Sequence, residues 1–258
     1  MFARLGVTWA NTVRPYKDWK GASMKSLQKE LKSNTYPGRG IIIGCSEDGK
    51  RSVVFYFIMG RSENSRNRIF EKTSDGIRTV AFDEDKVTDP SLIIYHPIRE
   101  SGSKLIVTNG DQTETIMGNL KRGMGFTTAL RTREFEPDTP IYTPRISGII
   151  EDKGKYRLSI IKAMEGNPKF TQRNYYEYSG TIPGLGHFIS TYDKDGDPPP
   201  SFSGEPVAVG ITDSGGLEAF AEEVWNVLDE NNKVSLYARE TNLETGDSND
   251  LIINRFTK

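Results

Sequence analysis

Residues 36–70 read YPGRGIIIGCSEDGKRSVVFYFIMGRSENSRNRIF, and this stretch decides the fold. Two runs rich in Ile, Val, Phe and Tyr, at 40–46 and 51–59, flank the sequence Glu47-Asp48-Gly49-Lys50. An Asp-Gly turn between two such runs is typical of a β-hairpin, because glycine accepts a positive φ at no steric cost. We therefore predict an antiparallel hairpin here.

Arginine residues lie at both ends of this predicted hairpin. Arg39 stands between two glycines, and Arg61 and Arg68 belong to the segment GRSENSRNR at 60–68. The two ends of a hairpin lie side by side, so Arg39 should meet this segment at one rim of a sheet. Guanidinium groups bind phosphate bidentately, and the Gly, Ser and Asn neighbours leave main-chain N–H groups free. The pattern favours an anion site over its alternative, a solvated loop.

Composition limits the classes of function. The chain has 258 residues, 27% of them charged, and a formal net charge of −1. A protein that binds nucleic acid or anionic membranes in bulk needs a broad basic surface, which this balance does not provide. The single cysteine, Cys45, leaves no internal disulfide, and no run approaches the ~20 apolar residues of a membrane span. We predict a cytoplasmic protein with neither nucleic-acid nor membrane partners.

The first 35 residues are predicted to form an N-terminal extension packed on the body. Met24, Leu27 and Leu31 would share one face of a helix capped by Ser23. Three aromatic residues upstream favour docking over a free arm. They are Trp9, Tyr16 and Trp19.

Residues 36–258 are predicted to form one domain of α+β class with antiparallel sheets, since hairpins of strands outnumber helices. Beyond the first hairpin, strands are predicted at 77–82, 92–95, 104–108, 145–151, 156–163, 174–178, 187–192, 234–239 and 251–256. Helices are predicted at 113–120, capped by Thr113, at 126–133, and at 217–228, capped by Asp213 or Ser214.

Three motifs occur in a fixed order: the Gly-Arg strand with its Arg-Ser…Asn-Arg segment, then Val107-Thr108-Asn109-Gly110-Asp111, then Thr143-Pro144-Arg145-Ile146. In these motifs the chain resembles the archaeal-type IMP cyclohydrolase family. The resemblance implies a four-layer αββα sandwich like that of the N-terminal-nucleophile hydrolases. It also implies closure of 5-formamidoimidazole-4-carboxamide ribotide to IMP and water in de novo purine biosynthesis.

The implied reaction needs an anchored phosphate, proton transfer and donors for a developing oxyanion, and it needs no metal or cofactor. Arg39, Arg61 and Arg68 are the first candidates for phosphate or oxyanion contacts, with Asn67 beside them in the Asn-Arg pair. Arg145 is a fourth arginine candidate. The equally weighted alternative is that Arg145 is an ordinary surface arginine at the start of a strand.

Acid–base candidates follow from the same resemblance. Tyr95 matches a tyrosine of the family pattern and is expected to donate a proton or orient the amide, with a packing role as its alternative. Glu136 matches the acidic residue that precedes the last motif and is expected to be an ionised general base, with Asp138 as the alternative. Asn109 and Gly110 are expected to present an amide or a free N–H to the base ring, or else to form a tight turn.

Two other functions remain open at this stage. One is a non-catalytic purine-nucleotide-binding protein that kept the pocket. The other is an amidohydrolase of the N-terminal-nucleophile class, which would need processing to expose a nucleophile. No metal site is predicted, because the alternating Asp193, Asp195 and Asp197 depart from the EF-hand pattern. The oligomeric state, a homo-oligomer included, also stays open.

Overall fold

Two seven-stranded sheets form the framework of the computed structural model, which describes residues 24–87, 94–213 and 215–257. The first sheet contains β1 (Lys25–Ser26), β2 (Arg39–Cys45), β3 (Arg51–Met59), β11 (Leu185–Ser190), β12 (Val207–Gly210), β13 (Lys233–Asn242) and β14 (Ser248–Asn254), numbered in chain order. Their order in the sheet is β1-β12-β11-β2-β3-β13-β14.

The second sheet runs in simple chain order from one edge to the other. It contains β4 (Arg68–Thr73), β5 (Gly76–Ala81), β6 (Ile98–Ser101), β7 (Lys104–Thr108), β8 (Arg145–Ile150), β9 (Tyr156–Met164) and β10 (Asn167–Tyr178). All neighbouring strands described in the two sheets are antiparallel except β1 and β12, which are parallel. The described helices are α1 (Leu27–Ser33), α2 (Glu63–Arg66), α3 (Gln112–Lys121), α4 (Phe126–Leu130) and α5 (Gly216–Val227).

Side-chain alternation along the strands sorts the apolar residues into three layers. On β2, Ile41 and Ile43 face the second sheet, whereas Ile42 faces α1 and α5. A third cluster, which includes Ile106 and Ile149, lies between the second sheet and α3 and α4. The order of layers is therefore helix, sheet, sheet, helix, and the predicted α+β class with antiparallel sheets is confirmed.

The hairpin of 36–70 forms as predicted, with Arg39 paired to the end of β3. Its glycines are dictated by close packing. A Cβ on Gly40 would lie 2.2 Å from the ring of Phe57, and one on Gly38 would lie 2.3 Å from Oγ1 of Thr191. Gly38 also has a φ of +74°, which side-chain-bearing residues rarely adopt. Glycines on both sides of Arg39 thus let two other segments pack directly against this strand.

The helix caps predicted from the sequence are not the ones observed, although α4 begins at Phe126 as predicted. Ser26 caps α1 by accepting a hydrogen bond from the Lys29 N–H, and Met24 lies exposed before the helix. Thr113 lies buried inside α3, where its hydroxyl lies 2.6 Å from that of Thr108. Asp213 does not cap α5, because its carboxylate accepts hydrogen bonds from other parts of the chain. The predicted caps Ser23 and Ser214 lie outside the described residues.

Several strands were not predicted. These are β1, β4, β6 and β12, and β10 also begins at Asn167, well before the predicted residue 174. They are short or lie at sheet edges, where alternation is weak. Half of the predicted strand at 92–95 and the three upstream aromatic residues lie outside the described residues, and the described half, Ile94 and Tyr95, is not part of a strand. In the part that is described, α1 packs against α5, and no helix is long and apolar enough to cross a membrane.

Candidate active site

A cavity of about 270 Å³ opens where strands of both sheets begin. Arg39 begins β2 and has the same orientation as Ile41 and Ile43, which face the space between the sheets. Arg68 begins β4 and shares its face with Phe70 of the same central layer. Strand alternation therefore directs both guanidinium groups into the intersheet space. The lining residues are Tyr36, Arg39, Arg61, Ser62, Ser65, Arg68, Glu136, Asp138, Ile141, Thr143 and Tyr192.

The two inner arginines have hydrogen-bonding groups without partners. Arg68 is fully buried, and its Nε donates to the Ser65 carbonyl at 2.8 Å. Both terminal nitrogens of Arg68, and Nε of Arg39, have no hydrogen-bond partner among the described residues. Burial, together with the nearby Arg39 charge, lowers the pKa of Arg68. An unpaired buried cation is costly to the fold, so its presence points to an anion that arrives from outside.

Glu136 is the buried carboxyl of this cavity, in the loop between α4 and β8. Its Oε1 lies 3.9 Å from a terminal nitrogen of Arg145. Burial raises the pKa of Glu136 to about 6, against the opposing effect of Arg39 and Arg145. The sequence-based expectation of a firmly ionised carboxylate therefore changes, because burial outweighs the arginine charges. With this pKa the group is mostly ionised at neutral pH and is readily protonated.

Asp138, the alternative to Glu136, uses both of its oxygens within its own loop. Its Oδ1 accepts a hydrogen bond from the Thr143 N–H at 2.7 Å, and its Oδ2 accepts one from the Thr143 hydroxyl. These bonds fix the loop that carries Glu136, whose own N–H donates to the Thr143 carbonyl at 2.9 Å. Asp138 is therefore built into the loop, whereas the carboxyl of Glu136 lines the cavity with a raised pKa.

Arg61 lies at the mouth of the cavity and is already paired. It donates to Asp195 at 2.8 Å and to the Gly196 carbonyl at 2.7 Å. Its guanidinium carbon also lies 4.6 Å above the ring centre of Tyr36. One of the three alternating aspartates thus binds an arginine. Within the described ranges no group of three His, Cys, Asp or Glu side chains is arranged to hold a metal ion.

Tyr95 is buried near Arg39 and Arg68 but outside the lining of the cavity. It is buried, and its hydroxyl lies 2.8 Å from the hydroxyl of Tyr56. Tyr95 also contributes to raising the pKa of Arg39 against the effect of burial, along with Glu136 and other tyrosines. Its placement couples it to the arginines, although it is not one of the residues that line the cavity.

The motif with Asn109 and Gly110 reaches the same region from the end of β7. The amide of Asn109 donates to the Pro144 carbonyl at 2.8 Å and accepts from the Ile146 N–H at 2.8 Å, so it ties β7 to β8. A Cβ on Gly110 would lie 2.6 Å from a terminal nitrogen of Arg145 and 3.3 Å from Oε1 of Glu136. This glycine therefore lets Arg145 approach Glu136.

Arg145 is held by acceptors on three sides. The same terminal nitrogen lies 2.8 Å from Oε1 of Gln112 and 2.7 Å from a carboxylate oxygen of Asp111, and Nε donates to the Glu134 carbonyl at 2.9 Å. Its charge acts on Glu136 from outside the cavity. The geometry gives Asn109, Gly110 and Arg145 positioning roles around the carboxyl.

Asn67 is the predicted residue that turns away from the cavity. Its amide donates to the Asp83 carbonyl at 2.6 Å and accepts from the Asp83 N–H at 2.8 Å. Asn67 ends α2 and thereby joins the Arg-rich segment to the loop after β5. It supports the backbone next to Arg68 and does not line the cavity.

The structure adds lining residues that sequence reasoning missed. Tyr36 and Tyr192 stack with ring centres 5.6 Å apart. Tyr36 opens the quoted stretch and Thr143 opens the last motif, so both lay within recognisable signals. No motif in the sequence indicated Tyr192 as a site residue. It lies at the cavity because β11 pairs with β2, and its N–H donates to the Pro37 carbonyl.

Residues 36–246 match the family model described as IMP cyclohydrolase-like protein. The chain belongs to this family. The match begins at the first residue of the quoted stretch and includes every residue that lines the cavity. The resemblance seen in the three motifs is thereby confirmed.

Three archaeal relatives carry the name IMP cyclohydrolase. The relative from Methanosphaera stadtmanae is 31% identical over 164 residues, which are 62% of this chain and 75% of the relative. The relative from Methanothrix thermoacetophila is 27% identical over 173 residues, 66% of this chain and 80% of the relative. The relative from Methanococcus aeolicus is 27% identical over 125 residues, 47% of this chain and 61% of the relative.

Proposed function

We propose that this protein is an IMP cyclohydrolase, which closes 5-formamidoimidazole-4-carboxamide ribotide to IMP and water in de novo purine biosynthesis. Family membership and the names of the relatives support the reaction. The observation that carries the site assignment is one cavity in which buried nitrogens of Arg39 and Arg68 have no hydrogen-bond partner among the described residues, beside Glu136, whose pKa is raised to about 6. A purine ribotide is then the small-molecule partner, and the expected cytoplasmic location is part of this proposal.

The chemistry requires two proton transfers around one oxygen atom. The carboxamide nitrogen attacks the formyl carbon, the new C–N bond forms, and the formyl oxygen takes up negative charge. That nitrogen loses one proton. In the second step the formamide nitrogen loses its proton, a C=N bond forms, and the former formyl oxygen departs as water with both protons. A single acid–base group whose pKa lies near the working pH can carry both protons.

Glu136 fits this proton carrier. It lies in the cavity, it is ionised for the first proton abstraction, and its raised pKa lets it return the proton to the oxygen. Holding the two reacting groups of one molecule in attack geometry supplies much of the remaining rate.

Arg39 and Arg68 are assigned to the oxygen that becomes negative. A phosphate dianion bound beside Glu136 would raise the pKa of that carboxyl further and keep it protonated, which would remove the base. An oxyanion that forms only during the reaction avoids this conflict and benefits from preorganised donors. Tyr95 supports the two arginines.

Arg61 is assigned to the phosphate. It lies at the mouth, where its side chain is about one-third exposed, and Ser62 and Ser65 line the cavity beside it. A strongly hydrated dianion suits this partly open position better than the interior. Binding would require the phosphate to share Arg61 with Asp195.

The test is to mix purified protein with the formamido ribotide and to follow the absorbance of IMP in the presence of a chelator. The proposal predicts turnover well above the spontaneous rate. Folded protein that binds IMP tightly without cyclising the ribotide would show instead a nucleotide-binding protein, and folded protein that does neither would overturn the assignment of substrate as well.

A further inference from the structure

A chain of hydrogen bonds runs along one wall of the cavity from Asp138 through Thr143 to Tyr192. The Asp138 carboxylate accepts hydrogen bonds from the N–H and from the hydroxyl of Thr143. The Thr143 hydroxyl oxygen lies 2.9 Å from the hydroxyl oxygen of Tyr192. Thr143 and Tyr192 are each at most 2% exposed, so water does not compete freely for these bonds.

The chemistry of the three groups fixes the direction of the chain. An ionised carboxylate only accepts, so the single Thr143 hydroxyl proton points to Asp138. The bond between Thr143 and Tyr192 must then use the proton of Tyr192. The Tyr192 oxygen is left with its lone pairs and no proton to offer, and this residue lines the cavity. The wall therefore presents an acceptor only.

The acceptor lies at the reacting end of the cavity. Tyr192 lines the cavity together with Arg39 and Glu136. Thr143 accepts a main-chain hydrogen bond from Glu136. Arg61, at the mouth, contacts the ring of Tyr36, which stacks on Tyr192.

We propose that Tyr192 is a specificity-determining residue whose oxygen accepts a hydrogen bond from the carboxamide N–H that the substrate retains, which becomes N1–H of IMP. This inference rests on the proposed function. The carboxamide nitrogen has two protons, and Glu136 removes one during the attack. An acceptor fixed on the second proton holds the nitrogen in orientation and favours purine ribotides with a donor at N1 over those with a lone pair there.

The test compares two ligands on three proteins by titration calorimetry. The ligands are IMP, which has N1–H, and purine riboside 5′-monophosphate, which has a lone pair at N1. In the unaltered protein, IMP should bind more tightly by about five- to hundredfold, the range expected when a buried acceptor is left facing an acceptor. Tyr192→Phe should reduce this ratio at least about fivefold. Tyr176→Phe, which removes a hydroxyl bonded to the Gly204 carbonyl away from the cavity, should leave the ratio unchanged.

A second variant reverses the direction of the chain without removing Tyr192. In Asp138→Asn the amide nitrogen can donate to the Thr143 hydroxyl, which would then donate to Tyr192, and Tyr192 would donate into the cavity. The preference for IMP should fall and shift toward the ligand with a lone pair at N1. Loss of preference in both variants, with folding verified by circular dichroism, supports the proposal. Tyr192→Phe keeping the ratio of the unaltered protein overturns it, and that would be the result if Arg39 occupies the Tyr192 oxygen.

A further ligand, 2′-deoxy-IMP, distinguishes the N1–H donor of the base from the 2′-hydroxyl donor of the ribose. Tyr192→Phe could remove the difference in affinity between IMP and 2′-deoxy-IMP while keeping the difference between IMP and purine riboside 5′-monophosphate. The Tyr192 oxygen would then bind the ribose, and the proposal would be overturned. Cyclisation by the unaltered protein is measured on the same preparations. Turnover with an unchanged N1 ratio in Tyr192→Phe would reject this inference alone, whereas absence of turnover would reject the proposed function.

Discussion

The burial of Glu136 predicts a specific dependence of protein stability on pH. Burial raises the pKa of this carboxyl from its ordinary value of 4.5 to about 6, so the folded protein binds the proton more tightly than the unfolded chain does. The resulting stabilisation is present in full below pH 4.5 and is lost as the pH rises through 6. Glu136→Gln has no titrating group at this position and should lack this loss.

The magnitude follows from the size of the pKa difference. One pKa unit corresponds to about 1.4 kcal/mol, so the whole effect is about 2 kcal/mol. About 1.2 kcal/mol of it falls between pH 5 and pH 8. Removing the charge also leaves Arg39 and Arg68 with one anion fewer, but that cost does not vary with the titration of residue 136. The change in the difference between the two proteins across the pH range is therefore the quantity to compare.

The assay is urea unfolding at several pH values from 5 to 8, with free energies of unfolding for the unaltered protein and for Glu136→Gln. The unaltered protein should lose about 1.2 kcal/mol relative to the variant over this range. Glu151→Gln is a control of opposite sign. Burial opposes ionisation of Glu151, but hydrogen bonds from Arg157 and Lys104 outweigh it and lower the pKa. Its contribution is therefore present above pH 4.5 and is lost only on acidification below that value. Between pH 5 and pH 8, Glu151→Gln should accordingly differ from the unaltered protein by a nearly constant amount.

Parallel stability curves for the unaltered protein and Glu136→Gln would refute this reasoning. They would mean that the carboxyl is solvated or paired well enough to keep its ordinary pKa. Glu136 would then not be a proton carrier whose pKa lies near neutral pH.

Substitutions at three other residues test the remaining assignments. Arg68→Met should lower kcat by about 10²–10³, because an oxyanion donor is lost, and should keep IMP affinity within about threefold of the unaltered protein in calorimetric titration. A large loss of IMP affinity would instead place the phosphate at Arg68. Arg61→Ala should weaken IMP binding by about 1.5–3 kcal/mol, and Arg61→Lys should restore it only in part, since an ammonium cannot form the bidentate pair; unchanged affinity would contradict the phosphate assignment. Asn109→Ala should lower the free energy of unfolding in urea by about 2 kcal/mol or more, because the Ile146 N–H loses its acceptor, while the folded variant keeps its IMP affinity. Unaltered stability with lost IMP affinity would show instead that Asn109 contacts the substrate.

Local signals in the sequence predicted the part of the site that depends on one hairpin. An Asp-Gly turn fixes the pairing of β2 with β3, and this pairing brings Arg39 to the segment that holds Arg61 and Arg68. The same logic predicted the α+β class, since alternating apolar runs are a property of neighbouring residues. The functional family came from three short motifs and not from physical derivation.

The rest of the site depends on long-range packing, which no local pattern encodes. Tyr192 reaches the cavity only because β11 pairs with β2, about 150 residues away in sequence. The pKa of Glu136 is raised by burial, which the sequence does not reveal. The arginine-rich pocket expected from the sequence predicted a firmly ionised carboxylate, but the effect of burial is larger than the effect of the arginine charges. Arg61 meets Asp195 through a loop whose alternating aspartates indicated nothing specific. Asn67 turned away because α2 ends there and its amide binds the backbone of Asp83.

The central claim is that the cavity containing Arg39, Arg68 and Glu136 cyclises the formamido ribotide. The most direct test is the single-turnover rate of IMP formation by Glu136→Gln, measured by absorbance beside the unaltered protein and the Glu151→Gln control. The account predicts that Glu136→Gln binds IMP almost normally and cyclises about 10²–10⁴-fold more slowly, while the control keeps the normal rate. Cyclisation by folded Glu136→Gln at the rate of the unaltered protein would contradict it.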